Sequence, residues 1–171
     1  MKSRNNKKVA IVVLLIIAML AFILKPFVFN EPKSGKIKST DREIPFRHEG
    51  NLQFLIDSTS IKTIEIEVAA SDLERGRGLM YRKNMPENRG MLFLFDEARI
   101  QNFYMKNTYI PLDIIYVDAN RKVVSIQKQT TPLSELTLPS EAPAQYVVEV
   151  NGGFCDKYGI DKGTQVEFEI F

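Results

Sequence analysis

The segment LDIIYVDANRKVVSI, residues 112–126, decides the fold. Its two apolar runs, at 114–117 and 122–126, have the length of short strands. Between them lies DANR, residues 118–121, whose Asp and Asn side chains favour a tight turn. Two strand-like runs joined by so short a turn predict a β-hairpin.

The rest of the folded region shows the same short-strand pattern. Apolar and β-branched residues cluster in further segments that we predict to be strands: 52–56, 64–68, 91–95, 103–106, 145–150 and 165–170. In the second of these, apolar residues alternate with Glu65 and Glu67, which predicts one buried face and one face in water. Many short strands with few helical residues are typical of a small β-sandwich or barrel. The sequence therefore predicts a mainly β domain.

One or two short helices and one long loop complete the predicted fold. Ser71 and Glu74 have the spacing of a capping box, which predicts that a helix begins there. Residues 154–158 favour one further helical turn, ended by Gly159. Residues 129–144 contain three prolines, and they are predicted to form a long loop.

An apolar segment near the N-terminus predicts attachment to a membrane. Residues 9–24 are sixteen consecutive apolar residues, and 27–29 continue the run after a Lys-Pro interruption. Because about 20 apolar residues cross a bilayer as a helix, we predict a transmembrane anchor over 9–29. It follows a basic N-terminus, residues 1–8.

The charges around this segment predict its orientation. Four basic residues precede it, which favours a cytoplasmic N-terminus and a domain outside the cytoplasm. The alternative is a cleaved signal peptide, which would leave a secreted or periplasmic domain, although no A-x-A cleavage pattern follows the run. Residues 30–50 have the polar composition, broken by proline and glycine, of a linker. The globular domain is predicted over 51–171.

Composition argues against several classes of function. Residues 46–171 carry fourteen basic and eighteen acidic side chains, a balance of −4, which disfavours binding to nucleic acid. Cys155 and His48 are the only residues of their kinds. An intramolecular disulfide, a Cys/His zinc site and a histidine-dependent catalytic triad are therefore not expected. We predict no nucleic-acid partner, no metal and no cofactor.

One carboxylate invites both a functional and a structural interpretation. Asp113 lies between two apolar residues of a predicted strand, so we expect it to be buried and to need partners. The functional interpretation pairs Asp113 with Lys106 as general acid and base. The structural interpretation, which we favour, pairs it with Arg75 or Arg77 and so fixes a helix onto the sheet.

Five blocks of the chain carry a resemblance to a known family. They are ERGRGLMYR (74–82), GMLFLF (90–95), NFYMKNTYIPLDIIYVD (102–118), VVEVNGGF (147–154) and YGIDKG (158–163). In order and spacing they resemble the bacterial and archaeal family called domain of unknown function 192. The resemblance covers about residues 60–170, with one departure, since Tyr104 stands where the family commonly has Trp. It implies a small β-sandwich domain, often exported behind a signal or anchor, and it implies no activity, cofactor or catalytic residue.

These observations predict a ligand- or partner-binding module of the cell envelope. The expected ligand is a small molecule, a glycan or another envelope protein, and the bilayer is a further partner through residues 9–29. We expect the site between 102–113 and 129–144. The predicted binding residues are Tyr104, Lys106, Asn107, Thr108, Asp113 and Asn151. The alternative is a metal-independent envelope hydrolase that uses Asp113 with Lys106 or Tyr104, so enzymatic activity is left open.

Overall fold

The computed structural model describes residues 44–171 and, nearer the N-terminus, residues 13–16, 18, 19 and 22. The chain divides into two units, Met1–Asp41 and Arg42–Phe171. The described residues of the first unit are helical. In the described part of the chain, no helix is both long enough and apolar enough to cross a membrane. Most of the predicted anchor at 9–29, and residues 30–43 of the predicted linker, lie outside the described residues.

Residues 44–171 form nine strands in two sheets. The strands are β1 (Gly50–Ile56), β2 (Thr59–Ala69), β3 (Arg89–Arg99), β4 (Asn102–Phe103), β5 (Leu112–Val117), β6 (Val123–Gln127), β7 (Leu138–Pro139), β8 (Ala144–Asn151) and β9 (Gln165–Ile170). Seven of them form one sheet in the order β6-β5-β8-β3-β2-β1-β9, and β4 pairs with β7 separately. Only β2 and β3 are parallel neighbours in this region. The predicted mainly β fold is confirmed.

The two outer strands of the seven-stranded sheet contact each other. Lys122, next to β6, forms an antiparallel bridge with Gln165 of β9. The backbone amide of Val123 donates to the carbonyl of Thr164 at 2.9 Å, and that of Val166 donates to the carbonyl of Arg121 at 2.8 Å. The sheet therefore curls until its edges meet, which protects the exposed backbone groups of both edge strands.

Two apolar cores lie on opposite faces of this sheet. All side chains of β5 are buried, and successive side chains of a strand point to opposite faces. Ile115 and Val117 belong to a core that draws residues from all seven strands, which we call the inner core. Ile114 and Tyr116 belong to a second core, the outer core, which also includes Leu79 and other residues from the connecting segments.

Two short helices lie in the described domain, α1 (Asp72–Arg77) and α2 (Phe154–Tyr158). The predicted capping box is present, because the Ser71 hydroxyl accepts from the Glu74 amide and the Glu74 carboxylate accepts from the Ser71 amide. Helix α2 ends at Gly159, which has the expected left-handed conformation. The hairpin of β5 and β6 also forms as predicted, with the Asp118 carboxylate accepting from two amides of the turn.

Three details of the strand prediction are wrong. Glu67 does not face water, because it is buried and its carboxylate pairs with Arg82. The predicted strand at 103–106 is reduced to β4, since the chain turns after Phe103 to cover the outer core. The loop at 129–144 contains the short strand β7, which pairs with β4. Periodicity could not reveal a two-residue strand in a segment rich in proline.

Candidate functional site

A cavity of about 190 Å³ lies on the outer-core face of the sheet. Its walls come from α1 and the turn that follows it, from β3, from the segment around β4 and from the centre of β8. Four aromatic side chains line it: Phe93, Phe95, Phe103 and Tyr104. The remaining lining residues are Arg75, Gly76, Arg77, Gly78, Leu79, Met80, Gln101, Asn102, Thr108 and Glu149.

Glu149 is the ionisable group inside this cavity. It lies at the middle of β8, hydrogen-bonded in register between Met91 of β3 and Ile114 of β5, and it is only 5% exposed. Its Oε2 atom is buried and has no hydrogen-bond partner among the described residues. A buried polar atom without a partner is rare in folded proteins, because leaving it unsatisfied costs about 1 to 3 kcal/mol.

Burial also changes the charge of this carboxyl group. Removal from water disfavours the ionised form, and it raises the pKa of Glu149 from 4.5 to about 8. The backbone amide of Leu79 acts in the opposite direction, because it stabilises the carboxylate, but burial dominates. Near neutral pH the side chain is therefore largely a neutral carboxylic acid that can donate one hydrogen bond and accept another.

Gly78 leaves the space beside Glu149 open. A Cβ atom at this position would lie 3.2 Å from the Phe93 ring and 3.6 Å from Oε2 of Glu149. The backbone of Gly78 also has a φ of 48°, a left-handed conformation that glycine adopts without strain. Any other residue here would be strained and would extend into the cavity.

The aromatic walls of the cavity are fixed by contacts among the rings. Phe103 meets Phe93 edge-to-face, with ring centroids 5.0 Å apart, and it meets Phe95 and Tyr116 in the same way. The Tyr116 hydroxyl donates to the carbonyl of Leu138 at 2.6 Å, which attaches the 129–144 loop to this cluster. Burial raises the pKa of Tyr116, so this hydroxyl keeps its proton. These contacts hold the aromatic side chains of the cavity walls in place before a ligand binds.

Two arginines line the mouth of the cavity, and they differ in their partners. Arg75 is engaged, because its guanidinium pairs with Asp72, donates to the carbonyls of Ala70 and Leu94, and stacks over Phe95. Arg77 is exposed, and within residues 44–171 its guanidinium forms no ion pair or side-chain hydrogen bond. Arg77 is thus the cation at the mouth that remains available to a ligand.

Asp113 lies on the other face of the sheet from this cavity. It is fully buried on the side of the inner core, next to α2. Its Oδ1 accepts from the backbone amides of Gln129 at 2.7 Å and Gly153 at 3.0 Å, and its Oδ2 accepts from that of Cys155 at 2.8 Å. The expected burial of Asp113 is confirmed, but the expected partner, Arg75 or Arg77, is wrong. Within residues 44–171, three backbone amides and no arginine supply the hydrogen bonds that this buried carboxylate requires.

The predicted acid/base pair of Asp113 and Lys106 does not form. The two residues do not approach to ion-pairing distance, and the ammonium of Lys106 lies 3.6 Å from the Glu135 carboxylate at an exposed position. The sheet separates Asp113 from the outer-core face, whereas Lys106 follows the buried Met105 of the outer core. Hydrolase activity itself stays a prediction, now without the residue pair that suggested it.

The other predicted binding residues divide between the cavity and structural contacts. Tyr104 and Thr108 line the cavity. Asn107 takes a left-handed turn conformation and directs its amide to the sulfur of Met80 at 3.9 Å. Asn151 donates to the carbonyl of Met85 at 2.8 Å, which connects β8 to the segment between α1 and β3.

Cys155 is not a reactive thiol in this structure. It is fully buried, and burial together with the adjacent Asp113 carboxylate raises its pKa. A thiol with a raised pKa is a poor nucleophile, because the thiolate is the reactive form.

Sequence reasoning missed Glu149, the residue on which the site depends. The signal was present in the segment VVEVN, residues 147–151, where one acid interrupts an apolar run. A strand in the middle of a sheet with cores on both faces should contain no unpaired charge. An acid at its centre could have been recognised as a candidate site.

The comparisons with known proteins identify the family to which this chain belongs. Residues 54–168 match the model of domain of unknown function 192, described as an uncharacterized ACR. The chain belongs to this family. The matched region contains all residues that line the cavity. No curated protein matches the chain.

Two solved structures resemble this member of the family. One is a candidate transcription regulator from Sinorhizobium meliloti 1021, with 31% identity and a TM-score of 0.68, covering 74% of this chain and 98% of its own. The other is a protein of unknown function from Novosphingobium aromaticivorans DSM 12444, with 35% identity and a TM-score of 0.66, covering 68% of this chain and 83% of its own. These similarities support the fold and leave the activity open.

Proposed function

We propose that this chain is a small-molecule-binding module whose ligand occupies the Glu149 cavity. The single observation that supports it most is the buried Oε2 of Glu149, which has no partner within the described residues and borders open space. A ligand with a hydrogen-bonding group would supply the missing partner. The aromatic walls would bury its apolar part, as is usual in small-molecule sites.

The Leu79 amide gives a structural partner to one oxygen of this acid, but packing gives no reason for the other, Oε2. The flanking residues in register, Met91 and Ile114, are both apolar, and an apolar residue at 149 would avoid the cost of an unsatisfied group. By contrast, the buried Glu67 has the guanidinium of Arg82 as its partner. A strongly perturbed acid in a cleft is a common feature of functional sites.

The description of one similar structure as a candidate regulator does not change this proposal. Residues 46–171 carry a balance of −4, and binding to nucleic acid depends on a basic surface. A cavity of about 190 Å³ also suits a small molecule better than a polymer.

We propose further that the domain works at a membrane. The apolar composition of residues 9–29 supports a transmembrane anchor, and the basic residues before it support a domain outside the cytoplasm. The closed, barrel-like sheet of the domain would then present its cavity to the cell envelope. A membrane-tethered module of this kind could capture a small molecule, a glycan or part of an envelope protein.

The proposal can be tested with a small-molecule fragment screen on the full-length chain, read out by NMR. We expect at least one fragment to shift the resonances of Phe93, Phe103 and Leu79. We expect Glu149→Gln, which replaces the acid with an amide of nearly the same shape, to weaken such fragments by about tenfold, the loss for 1.4 kcal/mol.

Glu97→Gln is the matched control, because Glu97 is exposed on β3 outside the cavity. This variant should bind fragments as the wild type does. The proposal would be contradicted if no fragment bound, if all fragments shifted resonances elsewhere, or if Glu149→Gln bound them unchanged.

A further inference from the structure

We infer that the ligand of the Glu149 cavity is a small anionic amphiphile, such as an aromatic or short-chain carboxylate, whose anion pairs with Arg77. This inference rests on the proposed binding function and deepens it by naming the class of ligand. It depends on the different chemistry of the two polar groups of the cavity, one at the mouth and one inside.

The charge at the mouth is positive and available. The guanidinium of Arg75 pairs with Asp72, donates to two backbone carbonyls and lies over the Phe95 ring. Arg77 lines the same cavity, is exposed, and has no ion-pair partner in the part of the chain that the structure describes. A carboxylate at the mouth would give Arg77 a partner in a geometry that its two-pronged donor group favours.

The interior of the cavity suits an apolar body. Phe93, Phe95 and Phe103 surround it and hold one another in edge-to-face contacts. The volume of about 190 Å³ exceeds the engineered cavity of about 150 Å³ that accepts benzene in another protein. One aromatic ring with one or two small substituents therefore fits, and the cavity cannot take a large ligand without rearrangement.

Glu149, the polar group inside the cavity, favours a ligand whose inner end is polar but uncharged. Burial raises the pKa of Glu149 to about 8, so at neutral pH the group is mainly an uncharged acid. A hydroxyl or carbonyl on the ligand can exchange hydrogen bonds with it without creating a charge in an apolar site. A cationic ligand is less favoured, because it would require ionisation of the buried Glu149 and would be repelled by the positive charge of Arg77.

The test uses three probes of nearly equal shape: 4-hydroxybenzoate, 4-hydroxybenzamide and 4-hydroxybenzylamine. Their affinities for the full-length chain are measured by NMR titration or calorimetry at pH 7. We expect the anion to bind at least about fivefold more tightly than the neutral amide, the ratio for a 1 kcal/mol ion pair. The amine should bind more weakly than both.

Three variants test whether this preference depends on Arg77. Arg77→Gln should remove the advantage of the anion over the amide, and Arg77→Lys should restore part of it. Arg99→Gln is the matched control, because Arg99 is an exposed arginine of β3 that does not line the cavity. It should leave all three affinities unchanged. Raising the salt concentration should reduce the advantage of the anion, since Arg77 is exposed.

The outcomes separate this inference from the proposed function. Equal binding of the anion and the amide, a preference for the amine, or an unchanged preference in Arg77→Gln would overturn the anionic class and leave a ligand cavity at Glu149. Binding of unrelated neutral fragments in the cavity, with none of the three probes bound, would do the same. If neither these probes nor the fragment screen gave any binding that depended on Glu149, both the inference and the proposed function would fail.

Discussion

Two buried carboxyl groups lie on neighbouring strands of this sheet, and their surroundings differ completely. Asp113 of β5 faces α2 on the inner-core side and accepts hydrogen bonds from three backbone amides. Glu149 of β8 faces the outer-core side, where its Oε2 has no partner in the described structure and borders a cavity. The first acid is satisfied by the protein itself. Oε2 of the second acid can still accept a hydrogen bond from, or donate one to, a ligand.

The comparison shows why burial alone does not identify a functional acid. Both groups are nearly inaccessible to water, with exposed fractions of 0% and 5%. What separates them is the identity of their partners. Backbone amides donate to both oxygens of Asp113 and fix the connection between β8 and α2, which is a structural task. Among the residues that the structure describes, no donor reaches Oε2 of Glu149, which leaves that position to a ligand.

The largest effect is expected for Asp113→Ala. Three backbone amides would lose a charged acceptor inside the fold, and hydrogen bonds to charged groups contribute about 1.5 to 3 kcal/mol each. We therefore expect the free energy of unfolding in urea to fall by roughly 3 kcal/mol or more. Asp113→Asn keeps one carbonyl acceptor and should lose less. A loss below about 1 kcal/mol in the alanine variant would remove the contrast between the two acids.

A smaller effect of opposite sign is expected for Glu149→Met. Methionine has a similar length and removes the unsatisfied Oε2, but the backbone amide of Leu79 loses its acceptor. Because these two effects oppose each other, the variant should gain no more than about 1 kcal/mol of stability at pH 5 in the same measurement. Glu97→Met at an exposed position serves as the control and should change stability little. A loss of more than about 1 kcal/mol in Glu149→Met would mean that the hydrogen bond from the Leu79 amide outweighs the unsatisfied Oε2.

The stabilisation by Glu149→Met should also depend on pH. The pKa of Glu149 is 4.5 unfolded and about 8 folded, so between these values the folded chain holds one more proton. Its contribution to stability is therefore full below pH 4.5 and is lost as the pH rises to about 8. The advantage of the variant should grow by up to about 1.4 kcal/mol per pH unit in this interval. A constant difference from pH 5 to 8 would contradict the raised pKa.

The smallest effect is expected for Lys106→Gln. Its ammonium forms only an exposed ion pair with Glu135, and such pairs contribute about 0 to 1 kcal/mol. The free energy of unfolding should change by less than about 0.5 kcal/mol, and the affinity of any ligand in the Glu149 cavity should not change. A large loss of binding in this variant would return the site to the segment that the sequence first suggested.

Much of the fold could be predicted from local patterns. The hairpin of β5 and β6 follows from apolar runs around Asp118, and the capping box of Ser71 and Glu74 gives the start of α1. These features depend on neighbours within a few residues, which a sequence displays directly. The pairing of β4 with β7 depends on contacts between residues 35 and 37 positions apart, and no local pattern reveals it.

The site was harder to predict, because it depends on which face of the sheet each residue occupies. Asp113 was correctly expected to be buried, but its partners are backbone amides, which cannot be recognised from residue types. Tyr104 and Thr108, which were predicted to bind a ligand, line the cavity, whereas Lys106 between them pairs with Glu135. Glu149 was overlooked, since its isolation becomes visible only when its neighbours are known. The membrane anchor at 9–29 stays a prediction.

The Glu149 site is tested most directly by the pKa of Glu149 itself, measured from the chemical shift of its side-chain carboxyl carbon in an NMR titration of the full-length chain. The resonance is assigned by its disappearance in Glu149→Gln. We expect a midpoint of about 8, because burial disfavours the ionised form more strongly than the hydrogen bond from the Leu79 amide favours it. A midpoint near the ordinary value of 4.5 would show that water or another partner reaches the carboxylate, and it would contradict the claim that this acid awaits a ligand.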